Sequence, residues 1–217
     1  MSYRLAIFDF DGTLADSFPF FLSVFNGIAD QHGFRRIDPS QVEHLRHAGT
    51  RDMMRHVGMP AWKLPLAAAS FKALMSENTH RIKLFPQIDH ALRTLARSAV
   101  TLTIVSSNSE DNVRRVLGPE LASLISQYEC GMSIFGKTSR IRKVVQRAAV
   151  APGAALYVGD QETDATAARK AGVAFAAVHW GYAPIEALRR VAPEHEFELP
   201  ASLAAIATLK AKQAIRP

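Results

Sequence analysis

Residues 5–17 read LAIFDFDGTLADS, and the order of residue types within them decides the fold. Leu5 to Phe8 is a short apolar run, the pattern of a strand buried on both faces of a helix-covered parallel sheet. Asp9 and Asp11 follow at once, and an unpaired charge inside such a strand is costly. The aspartates are therefore expected where the strand ends, with Gly12 breaking the chain behind them. Residues at the carboxyl ends of parallel strands border the ligand crevice of open α/β sheets, so two carboxylates there are placed for chemistry. Residues two apart along a strand also share a side, which lets Asp9 and Asp11 work as a pair.

Beyond this stretch the pattern turns helical. Phe18, Phe21, Leu22 and Phe25 recur at helical spacing, more as a core stripe than as a ligand pocket, and Gly33 is a stop signal. From Pro39 to about Arg81 the spacing of Leu45, Met53, Val57, Leu64, Leu74 and Met75 stays helical and no strand is read. Alternation then resumes, with a helix through Leu92, Leu95 and Ala96, a strand over Val100 to Val105, and a helix through Val113, Val116 and Leu117. Residues Tyr128 to Ile134 read as a weak strand or an irregular segment. A basic amphipathic helix over 138–149, a strand over Ala154 to Val158, an alanine-rich helix over Thr163 to Ala171 and a strand over Val173 to Val178 complete the series. Repeated strand, polar turn and helix imply a parallel sheet with right-handed crossovers. The expected fold is α/β: a doubly wound, Rossmann-like parallel-sheet core of residues 1–15 and 83–217, with an α-helical cap subdomain inserted over residues 16–82.

Composition narrows the setting. The 217 residues, 48% hydrophobic, suffice for one core with an inserted subdomain. The single cysteine, Cys130, has no internal disulfide partner, and no apolar run approaches the ~20 residues that span a bilayer. Met1 to Asp11 lacks a signal-peptide pattern, so a cytoplasmic protein without membrane contact is expected. The net charge of +6 raises nucleic acid as a partner, but the basic residues are scattered without interleaved aromatics. Nucleic acid is therefore not expected, and an anionic small molecule is. Arg140, Arg142, Lys143 and Arg147 read as solvated helix surface.

Three of the apolar strands end in polar clusters: Asp9 and Asp11, then Ser106, Ser107 and Asn108, then Asp160 and Asp164 within YVGDQETD, residues 157–164. A parallel sheet puts these ends on one edge, where grouped carboxylates need a cation or protons to offset repulsion. Hard oxygen ligands favour Mg²⁺, which accepts a few carboxylates beside substrate phosphate, and Lys137 offers a second counter-charge. Hydroxyls and turn amides of residues 106–108 suit phosphate oxygens. In the helical insertion, Gly49, Thr50 and Arg51 form a segment that would face the site, with Arg51 suited to a substrate carboxylate. His44 and His47 share a helix face and His56 follows, without the ligand spacing of a metal site. Trp180 and Tyr182, after the last clear strand, read as structural contacts.

Together these motifs resemble the haloacid dehalogenase-like hydrolase superfamily, in the branch with a helical cap after the first motif, and within it phosphoglycolate phosphatase-like proteins. Asp9-Phe10-Asp11-Gly12-Thr13 matches DxDGT, IVSSN at residues 104–108 the serine or threonine at a strand end, Lys137 the basic residue, and Gly159-Asp160 through Asp164 the GDxxxD motif. The resemblance implies that Asp9 attacks phosphorus to give an aspartyl phosphate, while Asp11 serves first as acid and then as base. It implies Mg²⁺ held by the Asp9 carboxylate, the Asp11 carbonyl and Asp160, with Asp164 in support and Lys137 neutralising charge. Phosphate would be bound by Ser106, Ser107, Asn108, Lys137, Gly12 and Thr13. A gapless strand alignment selects Ser106 as hydroxyl donor, the common Ser-Asn pair Ser107. Thr50 and Arg51 would contact substrate from the cap. The implied partner is a small phosphorylated metabolite, handled by a monomer or homodimer. Asp11 argues against a dehalogenase, because a departing halide needs no proton. A sugar phosphomutase uses the same residues, and a non-catalytic regulatory module would keep the fold without turnover. One departure stands at LFPQI, residues 84–88, where relatives often have glycine in place of Gln87.

Overall fold

The computed structural model describes residues 2–42, 45, 50–131 and 136–212, with the side chains of Thr50 and Arg51 outside the description. His44, His47 and Gly49 of the insertion also lie outside the described residues. In chain order the elements are β1 (Leu5–Phe8), β2 (Ala15–Asp16), α1 (Phe18–His32), α2 (Thr50–Val57), α3 (Leu64–Glu77), β3 (Lys83–Leu84), α4 (Ile88–Ala96) and β4 (Thr101–Val105). There follow α5 (Glu110–Leu124), β5 (Gln127–Glu129), α6 (Lys137–Arg147), β6 (Ala155–Gly159), α7 (Glu162–Lys170), β7 (Ala174–Val178), α8 (Ile185–Arg190) and β8 (His195–Phe197).

Six strands form one parallel sheet in the order β5-β4-β1-β6-β7-β8. The chain runs outward from β1 through β4 to β5, then returns to the other side of β1 for β6, β7 and β8. That reversal makes the end of β1 the topological switch point, where open α/β sheets leave a crevice. Strand pleating explains the apolar run of β1. Ala6 and Phe8 join the core under α4 and α5, with Leu92, Leu95, Val113 and Leu117. Leu5 and Ile7 join the opposite core under α6 and α7, with Ile141, Val144, Ala165 and Ala168. Both faces are covered, as the unbroken hydrophobicity of the strand requires.

Among the described residues of 39–81 the helical reading holds, in α2, α3 and short 3₁₀ turns at Pro39–Gln41, Ala61–Lys63 and Thr79–Arg81. Phe25 and Ala29 of α1 and Met53 and Val57 of α2 form, with Ile37 and Leu45, a separate apolar cluster. The phenylalanine stripe packs as core, with Phe18 and Phe21 centroids 6.0 Å apart and Phe21 and Phe25 5.1 Å apart. On either side of the helical segment, β2 and β3 pair antiparallel, bringing residue 16 opposite residue 83. The weak strand read over residues 128–134 is β5, which begins at Gln127 and ends at Glu129; residues 132–135 lie outside the described residues. Gln87 precedes α4 with φ +69°, the left-handed conformation for which glycine is the usual solution.

Candidate active site

The DxDGT segment leaves the sheet in a tight turn. The Phe10 carbonyl accepts the amides of Thr13, Leu14 and Ala15, and Gly12 has φ +81°. Asp9 stands at the tip of β1, anchored by the Phe10 N–H to Oδ1 at 2.9 Å and by its own N–H to the Val158 carbonyl. Asp160 follows β6, and Asp164 lies in the first turn of α7. Their side chains are buried, and one carboxylate oxygen from each of Asp9, Asp160 and Asp164 lies within 4.8 Å of the others.

Two devices hold these three carboxyl groups together. Lys137, the first residue of α6, donates to Asp9 Oδ2 at 2.9 Å and to Asp164 Oδ1 at 2.6 Å. Burial works against its charge, but Asp164 and Asp9 together outweigh it and raise the ammonium's pKa well above its ordinary value. Backbone amides supply the rest: Gln161 N–H donates to Asp164 Oδ2 at 3.1 Å and Tyr182 N–H to Asp160 Oδ2 at 2.8 Å. Burial still dominates, and with Asp164 and Asp9 nearby the Asp160 pKa lies well above the carboxylate range. Asp164 is pushed up to about 6 by burial, with Lys137 opposing. Asp11 also reaches about 6 through burial, with Ser17 pulling down, Asp9 pushing up, and Asn108 and Lys137 pulling down. Asn108 Nδ2 donates to Asp11 Oδ2 at 3.1 Å, while the buried Oδ1 has no well-aligned partner among the described residues.

Of the residues expected at the site, Asp9, Asp11, Asn108, Lys137, Asp160 and Asp164 are joined by these contacts. Ser106 is buried at the end of β4 and its Oγ accepts from Asn108 N–H at 3.1 Å, whereas Ser107 is exposed. The Thr13 hydroxyl points to Asp160 Oδ1 at 3.4 Å, beside the acidic cluster. The side chains of Thr50 and Arg51 lie outside the described residues, and His56 pairs with Gln41 at 3.1 Å. Sequence reasoning named Gly12 and Gly159 within their motifs but not the room they make, and it missed Gly181. An ideal Cβ on Gly12 would fall 2.3 Å from Asp160 Oδ2, on Gly159 2.5 Å from Asp164 Oδ2, and on Gly181 2.1 Å from Asp160 Cβ. It also missed Met75 of α3, whose Sδ meets Asn108 Nδ2 at 3.1 Å.

The haloacid dehalogenase-like hydrolase family model matches residues 6–178. The phosphoglycolate phosphatase of Synechococcus elongatus is 32% identical over 198 residues, covering 91% of this chain and 93% of that protein. That of Xanthomonas campestris is 30% identical, covering 82% and 84%. Among solved structures, a haloacid dehalogenase-like family hydrolase from Streptococcus pneumoniae superposes with TM-score 0.79 at 20% identity, covering 94% of this chain and 97% of that one. CbbY from Rhodobacter sphaeroides, in complex with phosphate, gives 0.69 at 21% identity, covering 96% and 100%. At those identities the structures speak for the fold, while the family match and the relatives at 30% or more speak for descent. The chain thus belongs to the haloacid dehalogenase-like hydrolase family.

Proposed function

We propose that this chain, a phosphatase, hydrolyses a small phosphate monoester, phosphoglycolate or a close analogue, through an aspartyl-phosphate intermediate and with Mg²⁺. The observation that carries the reading is Lys137 bridging Asp9 and Asp164 beside a third buried carboxylate, at the switch point of a parallel sheet. Substrate identity comes from the relatives named phosphoglycolate phosphatase. Residues 1–15 and 83–217 act as the core and residues 16–82 as the cap, which would close over substrate and exclude water.

The donor set fits a hard divalent cation. All three carboxylates offer oxygen, and Gly12, Gly159 and Gly181 leave space around them that a Cβ would fill. Asp9, Asp160 and the Asp11 carbonyl would hold Mg²⁺, with Asp164 in support. The ion supplies charge neutralisation at the phosphoryl oxygens.

The remaining work belongs to the side chains. Asp9 attacks phosphorus and the leaving oxygen departs with the bonding pair. Asp11, whose pKa of about 6 leaves part of it protonated near neutrality, gives that oxygen a proton. The resulting carboxylate then takes a proton from the water that hydrolyses the acyl phosphate. Lys137 keeps positive charge beside the nucleophile, and residues 106–108 receive phosphate oxygens.

The test is inorganic phosphate release from phosphoglycolate, sugar phosphates, nucleotides and an aryl phosphate, with Mg²⁺ or chelator, beside Asp9→Asn. Release that requires both Mg²⁺ and Asp9, and is greatest for phosphoglycolate, is expected. Release that survives Asp9→Asn refutes the covalent mechanism, and a sugar phosphate at the head of the ranking refutes the substrate.

A further inference from the structure

Ser17 stands immediately before α1, where a serine hydroxyl ordinarily accepts from amides of the first turn. Here its backbone is already helical and its side chain makes no capping bond. Its Oγ instead meets the Tyr182 hydroxyl at 2.7 Å. A residue drawn from its default local partner marks a place where another task competes. Ser109, before α5, shows the ordinary arrangement, accepting from Asn112 N–H at 3.2 Å.

Tyr182 is seated on several sides. Its N–H holds Asp160, and its ring lies 5.7 Å from that of Phe18. An ideal Cβ on Gly12 would come within 3.0 Å of its Cδ2. Trp180, two residues earlier, donates Nε1–H to the Thr13 carbonyl at 2.9 Å. This turn therefore clasps the DxDGT loop from the far end of the sequence. The mechanism above uses neither aromatic.

Ser17 neighbours Asp11 as well as Tyr182. Asn108 occupies Oδ2 of Asp11 and leaves Oδ1 without a well-aligned partner among the described residues. We propose that Tyr182 is a positioning residue for proton transfer by Asp11: its hydroxyl donates to Ser17 Oγ, which directs the Ser17 O–H toward the Asp11 carboxyl and holds that group for the leaving oxygen. The inference rests on the phosphatase reading above. As an Asp9 oxygen bonds to phosphorus, the bond from phosphorus to the leaving oxygen breaks. The electron pair stays on that oxygen, the Asp11 proton joins it, and the Asp11 carboxylate left behind receives the Ser17 O–H. An alkoxide depends on that proton, whereas p-nitrophenolate leaves as a stable anion.

Tyr182→Phe removes only the hydroxyl and keeps the amide on Asp160 and the ring on Phe18. With Mg²⁺ present, kcat/KM for phosphoglycolate should fall about tenfold, through kcat with KM held, while that for p-nitrophenyl phosphate stays within about twofold. Ser17→Ala should give the same selective loss, and the double variant should lose no more than either single one. Equal losses on both substrates, a loss carried by KM, an unchanged phosphoglycolate rate, or additive effects would each overturn the role. Wild-type protein that releases phosphate from neither substrate refutes the phosphatase reading and this role with it. Once the wild type releases phosphate, every later outcome bears on the Tyr182 role alone.

Discussion

Lys137 shows how much one side chain can decide. Its side chain is 17% exposed, and those of Asp9 and Asp164 are 10% and 1% exposed, so solvent offers neither carboxylate a ready substitute. Removing one partner of a buried ion pair costs more than the pair contributes, because the remaining charge stays buried. Lys137→Met should therefore lower unfolding free energy by about 3 kcal/mol near neutral pH. The sign of its pH dependence follows from Asp164, whose folded pKa of about 6 lies above its unfolded value. Stability from such a group is fully present below the unfolded pKa and is lost as pH rises through the folded one. Without the lysine that folded value climbs further, so the deficit should be largest at about pH 7.5 and shrink toward pH 5 as protons replace the ammonium. Urea titrations of both proteins at the two pH values test this, and a deficit independent of pH would refute it. Lys137 was legible because its order among four motifs is distinctive, although it meets Asp9 across 128 residues. Gly181 was not, since a glycine in a turn carries no sequence mark of the carboxylate packed against it.

At the scale of elements, β5 and α6 are joined by one buried carboxylate. Glu129 is 3% exposed and receives Arg140 at 2.5 Å, Lys143 at 2.8 Å and Arg147 at 2.7 Å. Burial raises its pKa, but Lys143 and Arg140 outweigh burial and the net shift is downward. The sequence reading took these basic residues for solvated surface, which the partly exposed cations half satisfy. Their shared acid went unseen because it lies on a three-residue strand, too short for alternation to register. The same shortness hid β2, β3 and β8, while β1, β4, β6 and β7 were read from their apolar runs. Glu129→Gln keeps the volume and removes the charge. It should cost about 2 kcal/mol near neutral pH, less than a fully buried pair because water screens the three cations. A folded pKa below the unfolded one gives stability that is present above the unfolded value and lost as pH falls through the folded one. Wild type and variant should therefore converge below about pH 4. Chemical denaturation across that range checks it, and a constant gap would assign Glu129 a packing role instead. Its carbonyl also accepts the Ser106 amide, so disturbance here should reach the end of β4.

For the molecule as a whole, the proposed Mg²⁺ site would tie folding to cation and proton together. Asp9, Asp160 and Asp164 come from two segments of sequence far apart, and only the closed sheet brings their oxygens within 4.8 Å. A ligand that needs this geometry binds the folded state alone and stabilises it by mass action. If Mg²⁺ is that ligand, a concentration about a hundredfold above Kd should add about 2.7 kcal/mol, worth roughly 5–10 °C in Tm for a chain of this size. Protons compete for the same oxygens, since the pKa of Asp160 is raised well above the carboxylate range and that of Asp164 to about 6. Without Mg²⁺ these raised values make the folded state gain stability as pH falls from about 7.5 to 5.5. A cation favours the ionised carboxylates, so the Mg²⁺-dependent rise in Tm should be large at the higher pH and small at the lower. Asp160→Asn should abolish the Mg²⁺-dependent rise, and by relieving repulsion it should raise the Tm of the metal-free protein. Thermal melts in chelator and in Mg²⁺ at both pH values distinguish the cases. A Mg²⁺ effect equal at the two pH values, or one that survives Asp160→Asn, would place the cation outside this cluster. A Mg²⁺ effect that fades with falling pH and vanishes in Asp160→Asn would mean that the repulsion built into the acidic cluster is what makes cation binding and the finished fold depend on each other.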